Sequence, residues 1–199
     1  MEGVAVNVRA NIKQLTRQLS EMAESQIPFA TALALTKTAQ SAQRSELIAM
    51  ERQLDRPTPF TKRGVAIRKA TKNNLRAMVF IREQQAEYLD AVINGGTRKP
   101  KGRAHVLPVA TKRNKFGNIP RGRIKKLLQR DDVYSDGDAE VAGIYQRIRG
   151  GGVRLLFAYE RTTKYTAQYK FYEVAERRIQ QVIGRQFNLA LVRALRSAR

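Results

Sequence analysis

Val4, Val6 and Val8 alternate with other residues, which predicts a short strand, because successive side chains of a strand point to opposite faces. Beyond them the spacing changes. Ile12, Leu15, Leu19 and Met22 recur at three and four positions and predict one apolar face of a helix. Ser25-Gln26-Ile27-Pro28 interrupts that pattern. Pro28 suits the first turn of a second helix, where its missing N–H has no partner to lose. This helix is expected from Pro28 to about Leu54, and Ala30, Ala32, Ala34, Ala39, Ala42 and Ala49 keep it slim enough for another helix to approach closely. Asp55-Arg56-Pro57-Thr58-Pro59 ends it, since a residue before proline is pushed out of helical backbone.

The run Ala77-Met78-Val79-Phe80-Ile81 predicts a buried strand. A short helix over Gln85–Ile93 should follow and stop at Asn94-Gly95-Gly96. Val133-Tyr134 and Val141–Arg149 are expected as strands around the turn Ser135-Asp136-Gly137-Asp138. Gly150-Gly151-Gly152 permits a reversal into a third strand, Val153–Tyr159, and Glu160–Thr166 is expected as a polar connection. A long helix then runs from about Lys170 to Ser197. Tyr172, Ala175, Ile179, Val182, Ile183, Phe187, Ala190 and Ala194 share one side of it, and Leu191 and Leu195 widen the stripe. The sum is an α+β fold: N-terminal helices and a long C-terminal helix packed on a small, mostly antiparallel sheet, with a long basic irregular arm. One domain is expected over residues 1–199. Its helical part covers 9–55, the sheet and arm 56–160 with the arm at about 94–130, and the last helix about 170–197.

Charge changes this picture more than composition does. With 38 Lys and Arg against 17 Asp and Glu, the 199 residues carry a formal net charge of +21. Such self-repulsion calls for a negative counter-surface: nucleic acid, an acidic protein neighbour or an anionic membrane. No apolar run approaches the roughly 20 residues that cross a bilayer, and the first residues do not resemble a signal peptide. A membrane partner and export are therefore not expected. The absence of cysteine excludes disulfides and thiolate metal sites.

The cations are unevenly placed. Residues 56–82 hold eight and no acid, and residues 91–130 hold twelve and no acid, broken repeatedly by Gly and Pro. The second stretch is too long for an ordinary loop, and only Val106-Leu107-Pro108-Val109 in it looks buried. Its candidate binding residues are Arg98, Lys99, Lys101, Arg103, Lys112, Arg113, Lys115, Arg121, Arg123, Lys125 and Lys126. Together they could hold phosphates through counterion release. They could equally meet carboxylates at a protein interface, as an arm that orders between subunits. Phe116 alone is interleaved among them, so base stacking in this arm looks weak.

Catalytic chemistry is hard to assemble from these residues, and no catalytic residue, metal ligand or cofactor is expected. His105 is the lone histidine and has cationic Arg103 close by, so a structural role is favoured over general-base work. Asp131, Asp132, Asp136, Asp138 and Glu140 form the one acidic cluster. Clustered carboxylates can hold two metals in a nuclease, but Asp136-Gly137-Asp138 is good turn chemistry and that reading is favoured. No Lys-Ser or Lys-Thr pair follows the three glycines, so they are not a phosphate loop. Tyr159, Tyr165, Tyr169, Phe171 and Tyr172 crowd the approach to the last helix, more as core than as interface.

Pro28-Phe29-Ala30-Thr31-Ala32-Leu33-Ala34-Leu35-Thr36-Lys37-Thr38-Ala39 resembles the start of the minor tail protein Z family of lambda-like phages. The basic, glycine-containing middle is similar too, as is the order of a strand with Ile144-Tyr145-Gln146-Arg147, a second strand and a tyrosine-rich entry to a terminal helix. Tyr88-Leu89-Asp90-Ala91-Val92-Ile93-Asn94-Gly95-Gly96-Thr97-Arg98 is similar to a segment of other phage tail-completion proteins. The resemblance implies a virion protein of the tail or neck, made in the bacterial host cytoplasm, which completes the tail and helps it engage the filled head. It implies no enzyme activity. The implied partners are other neck and tail proteins, further copies in a homo-oligomeric ring that sums the charge along its axis, and packaged DNA. A basic cellular nucleic-acid-binding protein is the alternative, and a metal-dependent nuclease using the Asp131–Glu140 cluster is the third reading.

Overall fold

The structure, a computed structural model, describes the backbone of residues 8–197 and the side chains of residues 24 and 26–196. The alternation at Val4 and Val6 lies outside the described residues, and Val8 is already helical. The chain divides into two compact units interleaved along it. The first comprises residues up to Ile48, Val65–Arg82 and the chain from Phe171 onward, and the second comprises Ala49–Gly64 and Glu83–Lys170.

In the first unit a single helix, α1 (Val8–Gln53), replaces the two that Pro28 was expected to separate. A proline inside a helix loses one hydrogen bond and crowds the carbonyl four residues back, at a cost of about 3 kcal/mol. The long flanking runs of helix formers outweigh that. Thr31 Oγ1 also donates to the Ile27 carbonyl at 2.8 Å, beside the proline. The last helix, here α5 (Phe171–Ser197), falls where its periodicity placed it. Its contact face is narrower than the predicted stripe. Ala190 and Ala194 pack against Ala30 and Ala34 of α1, flanked by Phe29, Leu33 and Leu191. Alanine on alanine brings the backbones close and leaves the bulkier neighbours at the rim, so Ile183, Phe187 and Leu195 stay exposed. Arg178 Nε donates to Ser41 Oγ at 2.9 Å and ties the same two helices.

The unit is completed by an antiparallel ribbon of β1 (Val65–Arg68) and β2 (Met78–Ile81), paired from Val65↔Ile81 to Arg68↔Met78. It is anchored to α1 by Gln43 Nε2 to the Val65 carbonyl (2.8 Å) and by the Ala70 N–H to Thr36 Oγ1 (3.1 Å). The strand expected at 77–81 is thus present but only half-buried, because the ribbon has just two strands.

The second unit takes up the end of α1 and continues through a short α2 (Pro59–Lys62) and α3 (Glu83–Asn94). Gly95, with φ of 72°, supplies the left-handed step after α3 that the Asn-Gly-Gly sequence suggested. Next come β3 (Gly96–Arg98), β4 (His105–Pro108), α4 (Arg123–Leu128), β5 (Val133–Asp136), β6 (Gly143–Arg147), β7 (Val153–Glu160) and β8 (Thr163–Tyr165). Four strands form one antiparallel sheet in the order β4-β7-β6-β5, and β3 pairs separately with β8. The core of the unit is Leu127, Val133, Ile144, Leu156 and Phe157, with Val106, Ile119, Ile124 and Tyr159 packed on it. Leu156 and Phe157 are consecutive and both buried. The register passes from Ile144↔Phe157 to Tyr145↔Leu155, so Leu156 is the extra residue of a bulge.

The α+β class stands, with helices against small antiparallel sheets. The stretch at about 94–130, expected to be irregular, carries the short elements β3, β4 and α4 between segments without regular structure. Val106, Ile119, Ile124 and Leu127 are the reason: each gives an apolar foothold on the sheet while the cations between them remain at the surface. Glu160–Thr166 likewise contains β8 rather than only a connection. Of the aromatic cluster, Tyr169 and Phe171 are buried as expected, while Tyr172 is 60% exposed.

Candidate functional site

All eleven candidate cations belong to the second unit: Arg98 on β3, Arg123, Lys125 and Lys126 on α4, and the rest on the loops between elements. Arg98 ends β3 opposite Thr163, and its carbonyl lies 3.3 Å from His105 Nε2. His105 itself sits in β4 opposite Glu160, a position that explains it structurally. Lys99 is exposed, and Lys101 pairs with Glu87 of α3. Arg103 lines a cleft of about 540 Å³ with Arg161, Val106, Ser135 and Tyr159, where the Ser135 and Tyr159 hydroxyls are 2.9 Å apart.

Lys112, Arg113 and Lys115 lie on a loop closed by Asn114. The Oδ1 of Asn114 accepts from the N–H groups of Phe116 and Asn118 at 2.9 and 3.0 Å, so this loop has a defined turn despite its composition. Arg113 Nη2 donates to the Pro108 carbonyl at 2.7 Å, and Lys115 Nζ lies 5.2 Å from the Phe116 ring centre. Arg121 precedes α4, Arg123 begins it half-buried, and Lys125 and Lys126 are exposed on it. Among the described residues, Lys101 is the only one of the eleven in an ion pair.

A second basic group was not anticipated. Arg130, Arg147, Arg149 and Arg154 line a concavity of about 340 Å³ at the β6–β7 turn, together with Asp132, Gln146 and Ile148. Arg130 donates to both carboxylate oxygens of Asp132, from Nε at 2.9 Å and Nη2 at 2.7 Å, and Gln146 Nε2 adds a third bond at 2.9 Å. The Arg130 fork, and then Gln146, hold the Asp132 carboxyl below the ordinary aspartate range. The Arg147 guanidinium lies 5.0 Å from the Tyr134 ring centre, and Tyr134 stacks on Tyr145 with centres 5.9 Å apart. The signal was present in the sequence: arginines at 147, 149 and 154 flank three glycines, and folding the hairpin sets Gln146 beside Arg154.

The acidic cluster does what its turn chemistry suggests. Asp136 Oδ1 accepts from the N–H groups of Asp138 and Ala139, both at 3.0 Å, and so closes the β5–β6 connection. Among the described residues, no three His, Cys, Asp or Glu side chains are grouped as a metal would require. No described helix is long and apolar enough to cross a membrane. Chemically, the unit presents guanidinium and ammonium groups suited to phosphate or carboxylate oxygens. No protein-family model, curated protein or solved structure matches this chain.

Proposed function

We propose that this chain is a structural virion protein of a tailed bacteriophage at the head–tail joint or neck, acting through contacts with neighbouring subunits and with packaged DNA. The observation that carries the reading is the exposed apolar surface of α5. Ile183, Phe187, Leu189, Val192 and Leu195 are all more than one-third exposed. At 100° per residue, Leu189 and Val192 fall on the side of α5 away from Ala190 and Ala194, which pack on α1. Leu189 and Val192 are thus apolar positions outside the α1 contact, on a side they share with Arg185 and Arg196, and burying them needs a second covering surface. Another subunit supplies one, as an assembly protein requires. The exposed cations of the second unit add the electrostatic half of the reading, since copies in a ring would present them to a shared axis.

The test is assembly. Leu189→Asp with Val192→Asp is expected to reduce the sedimenting size of the purified protein to that of a monomer, and a phage lacking the protein is expected to accumulate separate heads and tails. A wild-type chain monomeric at all concentrations and absent from purified particles would overturn the proposal. The exposed cations also suit a cellular nucleic-acid-binding protein. That reading predicts tight, salt-sensitive binding by an isolated monomer with no role in particles.

A further inference from the structure

We propose that the concavity at the β6–β7 turn is a phosphodiester-binding site for nucleic acid, with Arg147, Arg149 and Arg154 as its cationic arms. It goes beyond the head–tail reading and stands or falls without it. The one carboxylate in the lining, Asp132, is already engaged by both branches of Arg130 and by Gln146. Its charge is therefore offset within the lining. Three further arginines, Arg147, Arg149 and Arg154, line the same space, with no second acid among the lining residues.

Each arm is placed by the hairpin. Strand pairing sets Arg147 beside Val153 and Arg154 beside Gln146, and Arg149 stands at the entry to the turn. Tyr134 lies under the Arg147 guanidinium and limits its motion, while Arg147 Nη1 reaches the Asp131 carbonyl at 3.4 Å. Gly150, Gly151 and Gly152 have φ of 92°, 95° and 98°, a region side chains rarely enter. The rim beside Arg149 is therefore bare backbone, which lets a bulky anionic chain come close.

Guanidinium forks donate to carboxylates as well as to phosphates, so the choice between polymers rests on the surroundings. Lys125 and Lys126 lie on α4, which packs beside β5, and Arg130 follows α4 at the concavity's edge. The cations thus continue past the space a single anion could fill. Nucleic acid carries an anion at every repeat and can use that continuation. The stacked, half-buried Tyr134–Tyr145 pair beside Arg147 also gives an unpaired base an aromatic neighbour, a contact that suits nucleic acid.

The test is a fluorescence-anisotropy titration of the full chain with a labelled single-stranded oligonucleotide over a range of salt. Arg149→Gln with Arg154→Gln is expected to weaken binding about tenfold. It should also make the log–log salt slope shallower by about 1.4, roughly 0.7 for each phosphate no longer neutralised. Arg185→Gln with Arg193→Gln on α5 removes the same charge elsewhere and is expected to change affinity less than about threefold. Arg149→Lys with Arg154→Lys keeps the charge without the fork, and should recover the slope more than the affinity. Equal effects of the two glutamine pairs would overturn the site, as would a wild-type chain that does not bind. Displacement of the oligonucleotide by polyglutamate as readily as by unlabelled oligonucleotide would assign the surface to an acidic protein instead.

Discussion

Asp132 accepts three side-chain hydrogen bonds, and every one of them favours its ionised form. Its folded-state pKa is lowered from the ordinary 3.8, so the unfolded chain binds the proton more tightly. The stability this adds is present above that ordinary value and is lost as pH falls through the folded value. Asp132→Asn is expected to lower the urea midpoint at neutral pH, with the difference shrinking steadily on acidification below the ordinary value. A difference independent of pH would remove the charge as its cause. Gly143 poses a steric question instead. A Cβ there would stand 2.2 Å from the Phe157 carbonyl oxygen across the sheet. Gly143→Ala is expected to cost about 3 kcal/mol in urea unfolding, and a loss under about 1 would mean the strands separate easily. Asp136 could be assigned to its turn because its partners lie two and three positions away. Asp132 could not be assigned to Gln146, 14 positions away, without the strand register.

At the scale of elements, long periodic segments were readable and short interrupted ones were not. α5 falls where its spacing indicated, and β5, β6 and β7 fall near their apolar runs. β1 has only four residues, and β4 and α4 rest on one or two apolar footholds among many cations. Such footholds leave no period to detect. Pro28 misled for a different reason: its local cost is real, but the helix-forming sequence around it is long enough to absorb it. Pro28→Ala should therefore remove a penalty of up to about 3 kcal/mol without changing the course of α1. Slower amide exchange across residues 24–36 is the expected sign. Unchanged exchange there would show that the proline imposes no local opening. The basic sites divide in the same way. Residues 98–126 stood out through their acid-free composition, whereas the arginines at 130, 147, 149 and 154 gather only once the hairpin is folded.

For the whole molecule the governing quantity is the net charge of +21. Repulsion among so many cations opposes compaction, and added salt screens it over a Debye length of about 10 Å at 0.1 M. The thermal midpoint of the isolated protein is expected to rise between low salt and about 0.3 M sodium chloride, by several degrees. A midpoint that falls would indicate that attractive ion pairs dominate instead. Polyanions should have the same stabilising effect at far lower concentration, because they supply the missing charge in one piece.

Ala30 and Ala34 meet Ala190 and Ala194, partners separated by about 160 positions of chain. At synthesis rates of roughly 5–20 residues per second, the early helix is made some 8–30 seconds before its mate. Through that interval its alanine seam lacks its partner, and side chains so small give other apolar surfaces little area to bury. A seam of leucines would bind wrong neighbours more tightly over the same wait. The choice of alanine thus makes late pairing tolerable as well as close.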